Sequence, residues 1–373
     1  MNTDKIGNLE AISLVIVVMI SHIILSLPNE ILTNTLSAAP LNVIYITAIV
    51  LIFYIIACKL FRPFHNQDIL DVAEYVGGNI FKKIVSTIYI LHLIFISGIL
   101  ILSFADTLKT IYLQNMPTEL ICLLFILIAL LANQFGFKSV SRTNAILMPF
   151  ILITVLIIFL SLFTDFVPQR IFPVLGYGTN ETFISGATNI FAFGEILLLF
   201  LIRPNLKDTN NAKKVGISSI LLSGSFLLIT VTALLLLFPF ITGGEGTLSI
   251  YMITRSIHFG KFFQRADALF ILIWALTFFS YTSVVMSYTL KIAKKNTKTT
   301  KNSPMLYIIA ILLFVVTLIP QNISQIRFAE NFIYKYSSII IVFGLSFVIL
   351  LLGYLKKKRQ KGIVEINEVK NES

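Results

Sequence analysis

Charge is what this sequence has least of. Only 13% of its 373 residues are Asp, Glu, Lys or Arg, against roughly a quarter in soluble globular domains. With 57% hydrophobic residues and a mean hydropathy of +0.89, that scarcity excludes an ordinary soluble domain and makes lipid the solvent of most of the chain. Cysteine is nearly absent too. Cys58 and Cys122 both sit inside apolar runs, which excludes a disulfide framework and reads as two small packing residues. The four histidines are too scattered for a metal cage. There is no HExxH, GxSxG, P-loop or CxxC, so no enzyme class and no cofactor is indicated. The net charge of +11 would point to nucleic acid in a soluble protein; in a membrane chain its placement carries the information, and no nucleic-acid partner is expected.

What is present is a series of apolar runs, at about 11–36, 41–60, 84–104, 120–135, 145–163, 183–202, 217–241, 268–290, 305–319 and 338–355. A helix crosses the hydrocarbon in roughly 20 residues. The runs therefore predict an all-α integral membrane protein of ten transmembrane helices, with one transmembrane domain over 1–355 and a basic tail over 356–373. Sorting Lys and Arg into alternate loops places 22 on the side of Lys5 and 7 on the other. By the positive-inside rule both termini are cytoplasmic. The tail cations Lys356, Lys357, Lys358, Arg359 and Lys361 are expected at anionic lipid headgroups, with the last residues disordered.

Two connections have features of their own. Ile69, Val72, Ala73, Val76 and Ile80 recur at helical spacing behind Asp68 and Asp71, which predicts a short amphipathic helix at the interface, loosened at Gly77 and Gly78. The outer segment from Gly243 to Arg265 reads as a lid over a cavity or as a helix lying on the surface. Val174 to Gly178, VLGYG, has the letters of a potassium filter but no pore helix before it, and reads as a turn entering the sixth span.

The sixth run, FISGATNIFAFGEILLLFLIRP, carries Gly194 and Glu195 near its middle. A charge at that depth costs roughly 3 kcal/mol or more unless it faces a polar cavity, a partner or a proton, so Glu195 is read as part of a site inside the bundle. Its reading as a structural carboxyl stays open. In the first run Ser21 and His22 stand at similar depth, followed by Ser26 and Pro28. Two interrupted spans in corresponding halves point to a transporter-type site for a small solute. Phe191 and Phe193 are candidate walls. His92 is a weaker companion to His22. Ser97 in the third run and Thr277, Ser280, Thr282 and Ser283 in the eighth are further candidates, against the reading that such hydroxyls bond the preceding turn. The candidate solute-binding set is Ser21, His22, Ser97, Phe193, Gly194, Glu195 and Thr277.

LSLPNEI, PVLGYG, FAFGEILLLFLIRP and QRADALFILIWALTFF, in that order, resemble the spore-germination permease family, the B subunit of germinant receptors in endospore-forming bacteria. That family is a branch of the amino acid, polyamine and organocation transporters. The resemblance implies two inverted five-helix repeats, about 11–163 and 183–355, with the first and sixth helices broken at the solute site. It implies a germinant, typically an amino acid, as ligand, the receptor's A subunit and C lipoprotein as partners, and the spore inner membrane as location. Ser21 and His22 stand where small glycines are common in amino acid transporters, which implies a bulkier or differently charged solute. Sensing without transport and proton- or cation-coupled amino acid symport both fit such a pocket. A scaffold or ion conduit with a vestigial pocket is the third alternative.

Overall fold

The computed structural model describes residues 5–25, 27–238, 266–297 and 303–371. Apart from one bridge pairing Ile6 with Leu206, all regular structure among them is helical. In order these are α1 (Asn8–Ile24), α2 (Leu27–Thr35), α3 (Ala39–Phe61), α4 (Ile69–Ile111), α5 (Thr118–Gln134) and α6 (Phe137–Ser161). A 3₁₀ run, Ser185–Ile196, leads into α7 (Leu197–Ile202). Then come α8 (Ala212–Leu237), α9 (Ala266–Thr297) and α10 (Ser303–Thr317). The last helical column is composite: α11 (Ile323–Phe328), a π-helical run Ala329–Tyr334, one turn α12 (Lys335–Ser337), a second π run Ser338–Leu345, and α13 (Ser346–Asn371).

Seven of the described helical stretches are long and apolar enough to cross a membrane. Three shorter apolar helices, Asn8–Ile24, Thr118–Gln134 and Pro304–Thr317, accompany them. The chain is a multi-pass membrane protein.

At 43 residues, α4 would run about 65 Å at 1.5 Å per residue, twice the ~30 Å hydrocarbon layer. It bends at Gly78, whose φ of 76° and ψ of −172° leave the helical region. The part before the bend is the expected amphipathic helix. Asp68 caps it by accepting from the amides of Leu70 and Asp71, and the Asp71 carboxylate accepts the Asp68 amide in return. Its apolar face behaves differently from expectation. Ile69, Val72 and Ala73 are buried within the protein, and only Ile80, past the bend, stands open at 77% exposure. The start of this helix therefore packs on the bundle and does not lie wholly on lipid.

The aromatic residues of the eighth run form a stacked layer. The Phe278 ring lies on Phe104 with centroids 4.1 Å apart, Phe279 lies on Phe125 at 4.1 Å, and Trp274 meets Phe104 edge-on at 4.8 Å. These contacts tie α9 to α4 and α5 at distances typical of favourable ring pairs. Two side-chain amides fasten other helices. Asn42 on α3 donates to the carbonyls of Thr182 and Gly186 and accepts from Asn189. Asn133 on α5 donates to the Ser283 carbonyl and accepts from the Ser287 hydroxyl on α9.

The VLGYG segment is a turn. Gly176, at φ 51°, sits so close to α2 that a Cβ there would fall 2.1 Å from the Thr35 carbonyl oxygen. The tail differs from the disordered end expected of it: its backbone is helical to Asn371. Lys356 donates to the carbonyls of Tyr75 and Val76, and Lys357 to that of Pro63, all within the protein. The outer segment from Gly243 to Arg265, read from sequence as a lid or surface helix, lies outside the described residues, as does Ser26.

Candidate functional site

Two helices lose their regular hydrogen bonding where they meet. The first does so at Leu25, with φ −79° and ψ −106°, after which α2 begins at Leu27 with Pro28 in its first turn. Proline fits there because a first-turn amide has no helical acceptor. Sequence placed this break at Ser21 and His22. Both are instead inside continuous α1, and the interruption comes one turn later. The second helix is wound as 3₁₀ through Ser185–Ile196 and leaves helical geometry at Phe193, with φ −108° and ψ 24°.

Between these breaks stands Tyr334, from the π run of the last column. Its hydroxyl lies 3.0 Å from His22 Nδ1 and 2.9 Å from Glu195 Oε1, with the Phe191 carbonyl at 3.5 Å. His22 Nδ1 and Glu195 Oε1 are themselves 3.6 Å apart. A phenol has one proton to give. The arrangement is satisfied when His22 donates from Nδ1 to the Tyr334 oxygen and Tyr334 donates to Glu195. The His22 and Tyr334 rings meet edge-on with centroids 4.5 Å apart.

Gly194 makes this approach possible. A Cβ there would fall 2.9 Å from Ser338 Oγ and 3.2 Å from the Tyr334 hydroxyl. Beside the cluster, Lys335 pairs with Glu30 of α2 at 3.1 Å, each side chain 11% exposed. The Lys335 ammonium also stands 5.4 Å from the Phe191 ring centre. Thus the last column contacts both sides of the first break and the kinked sixth segment.

A small cavity of ≈ 20 Å³ borders this cluster, and its wall includes Gly194, Glu195, Tyr334, Tyr281, Ser97 and His92. Ser97 Oγ and the Tyr281 hydroxyl are 3.3 Å apart. Of the candidates read from sequence, Gly194, Glu195 and Ser97 share this wall, and His22 joins it through Tyr334. Phe193 is buried at 1% exposure and serves as the point of the break. Ser21 and Thr277 are placed elsewhere. Ser21 donates to the Val17 carbonyl at 2.7 Å and approaches the Thr277 carbonyl at 3.4 Å, and the Thr277 hydroxyl donates to Ile273 at 2.7 Å. They are contacts between α1 and α9. Thr282 and Ser283 likewise bond the preceding turn. Tyr334, Lys335 and Glu30 were not singled out from sequence. The available signal was a Glu inside the first apolar run and a Lys just before the last, opposite charges at the edges of two apolar runs.

This architecture is that of a multi-pass helical membrane protein with interrupted helices around a buried polar cluster. The model of the family described as "Spore germination protein" matches residues 5–326, and the chain belongs to that family. It is similar to spore germination protein A2 of Bacillus subtilis (strain 168), 23% identical over 362 residues covering 95% of this chain and 97% of that protein. Spore germination protein KB of the same organism is 21% identical over 253 residues, covering 65% of this chain and 68% of its own length. Spore germination protein XB of Bacillus anthracis is 22% identical over 285 residues, 76% of this chain and 79% of its own.

Proposed function

We propose that this protein is the permease-like subunit of a spore germinant receptor, binding a small zwitterionic solute such as an amino acid between its two interrupted helices. The observation that carries this reading is Glu195: one carboxyl oxygen engages Tyr334, while the other is buried without a hydrogen-bond partner among the described residues. An unsatisfied buried acceptor costs about 1–3 kcal/mol, which a ligand donor such as an ammonium group would recover. The freed backbone at Leu25 and Phe193 offers donors and acceptors for the solute's other end.

The fold is proposed to hold ten spans in two inverted repeats, 11–163 and 183–355, with the three shorter apolar helices counted as crossings. The loop charges orient both termini to the cytoplasm, and family membership favours the inner spore membrane as location. An A subunit and a C lipoprotein are the proposed partners. Occupancy biases a two-state bundle and is passed to those partners. A coupled symporter is the second reading, and the unpartnered Glu195 oxygen, able to take up a proton, is what favours it.

Spores lacking this gene are to be screened against the standard amino acids. Loss of response to one of them identifies the solute, and Glu195→Gln then raises its half-maximal concentration. Wild-type dose-response in Glu195→Gln spores would reject the site. Robust counterflow of the labelled amino acid into liposomes containing this chain alone would replace the sensor with the symporter.

A further inference from the structure

The cluster around Tyr334 uses only one oxygen of Glu195. The other, Oε2, has no hydrogen-bond partner among the described residues, and the side chain keeps 9% of its exposure. Across the ≈ 20 Å³ cavity wall stands His92 of α4. It is 7% exposed, and its Nδ1 likewise has no hydrogen-bond partner among the described residues. Glu195 and His92 thus line one space, and each has one unpartnered polar atom of complementary need. A space of that size holds about one water, and a buried water needs two to four polar partners. Ser97 and Tyr281, on the same wall, can supply the third.

We propose that Glu195 and His92 share one proton through a single water held in this cavity. The proton leaves the Glu195 carboxyl at Oε2 for the water oxygen as a water proton passes to His92 Nδ1. The products are carboxylate, water and imidazolium, and the reverse transfer restores the start. No other reactant is consumed.

Other titratable groups facing Glu195 are accounted for. Tyr334 from the last column donates to Oε1, and His22 from α1 bonds the Tyr334 hydroxyl, with its Nδ1 3.6 Å from that carboxyl oxygen. Tyr281 from α9 is paired with Ser97. The Lys335–Glu30 pair is mutually satisfied against the Phe191 ring. His92 is the titratable group on the cavity wall that brings an unused nitrogen. The water occupies the oxygen that the receptor reading offers to a solute ammonium, so it belongs to the solute-free state and a bound solute would displace it; the test below uses solute-free protein, and its outcome does not depend on finding that solute.

The test uses the purified full chain in lipid nanodiscs, followed by infrared difference spectroscopy on a pH step. The wild type is expected to give a carboxylic acid C=O band that Glu195→Gln removes, and a sharp O–H stretch that moves in ¹⁸O water. In His92→Phe the water band is lost, the C=O band moves in frequency, and its titration midpoint shifts by about one pH unit or more. His92→Gln, which keeps a hydrogen-bonding side chain, retains the water band but shifts the midpoint. The proposal is overturned if His92→Phe and His92→Gln both leave the carboxyl band and its midpoint as in wild type. It is equally overturned if the wild type has no ¹⁸O-sensitive water band, or no acid band that depends on Glu195.

Discussion

Tyr334 donates to Glu195 at 2.9 Å from a helix 139 residues further along the chain, and the same oxygen meets His22 at 3.0 Å. One hydroxyl therefore joins the two interrupted segments to the last helical column. Tyr334→Phe keeps the ring contacts and leaves both partners unsatisfied. At about 1–3 kcal/mol for each stranded buried group, the half-maximal germinant concentration should rise roughly ten-fold or more, with thermal stability in detergent also lowered. Dose-response curves of germinating spores measure the first, and a melting assay on purified protein the second. A curve superimposable on wild type would mean that the cluster is not coupled to signalling.

Gly194 sets how near that column can come. An added methyl meets Ser338 Oγ at 2.9 Å and Ser338 Cβ at 3.2 Å, closer than packed atoms tolerate. Gly194→Ala is expected to abolish or strongly weaken the germination response by forcing Tyr334 away from Glu195. Ser338→Gly removes two of the three crowding atoms and leaves the Tyr334 hydroxyl at 3.2 Å, so the double variant Gly194→Ala, Ser338→Gly should recover part of the response. That recovery is the readout of direct contact, because a general helix-propensity effect of alanine would not depend on residue 338.

Much of this arrangement was legible in the sequence because hydrophobic length is a strong signal. The apolar runs, the turn at VLGYG, the amphipathic helix behind Asp68 and the Gly194–Glu195 irregularity all follow from local composition. What was not legible depended on partners distant in sequence. Lys335 looked like a loop cation, since a charge beside an apolar run ordinarily marks its end, yet Glu30 brings it into the bundle. Ser21 looked like the break because it is polar, whereas its hydroxyl is satisfied by the Val17 carbonyl and leaves the helix intact. The break falls at Leu25, three residues before Pro28, which sits in the first turn of the next helix. Lys356 and Lys357 read from sequence as cations for lipid headgroups, but in the fold they find the Tyr75 and Pro63 carbonyls.

Gly176 tests whether the VLGYG turn holds the C-terminal end of α2. Its φ of 51° already disfavours any side chain, and a Cβ would overlap the Thr35 carbonyl oxygen at 2.1 Å. Gly136 is the control, with φ 87° but nothing within 4 Å. Gly136→Ala should cost about 1 kcal/mol for its backbone conformation alone. Gly176→Ala should cost several times more, because the turn must also move. The measurement is the melting temperature of each variant in the same detergent. Equal losses would show that the close approach contributes nothing.

At the other end of the bundle, Lys295 reaches both Asp68 at 2.7 Å and Asp71 at 2.6 Å. Burial holds the Asp68 carboxyl above its ordinary range, with Lys295 drawing it back down. Folded protein therefore keeps a proton on Asp68 to higher pH than the unfolded chain does. The sign follows: stability falls as pH rises from the ordinary aspartate range up to the folded value, and is level above it. Lys295→Met removes the cation and leaves two neighbouring carboxylates, which raises the folded value further and extends that loss upward. The variant should match wild type most closely at about pH 4, where Asp68 keeps its proton with or without the cation, and fall behind by about 3 kcal/mol near pH 8. Adding Asp68→Asn should flatten the difference, because Asn still caps the helix while carrying no charge. Melting temperatures of the three proteins across this range decide it, and a Lys295→Met deficit that is the same at every pH would sink the electrostatic account.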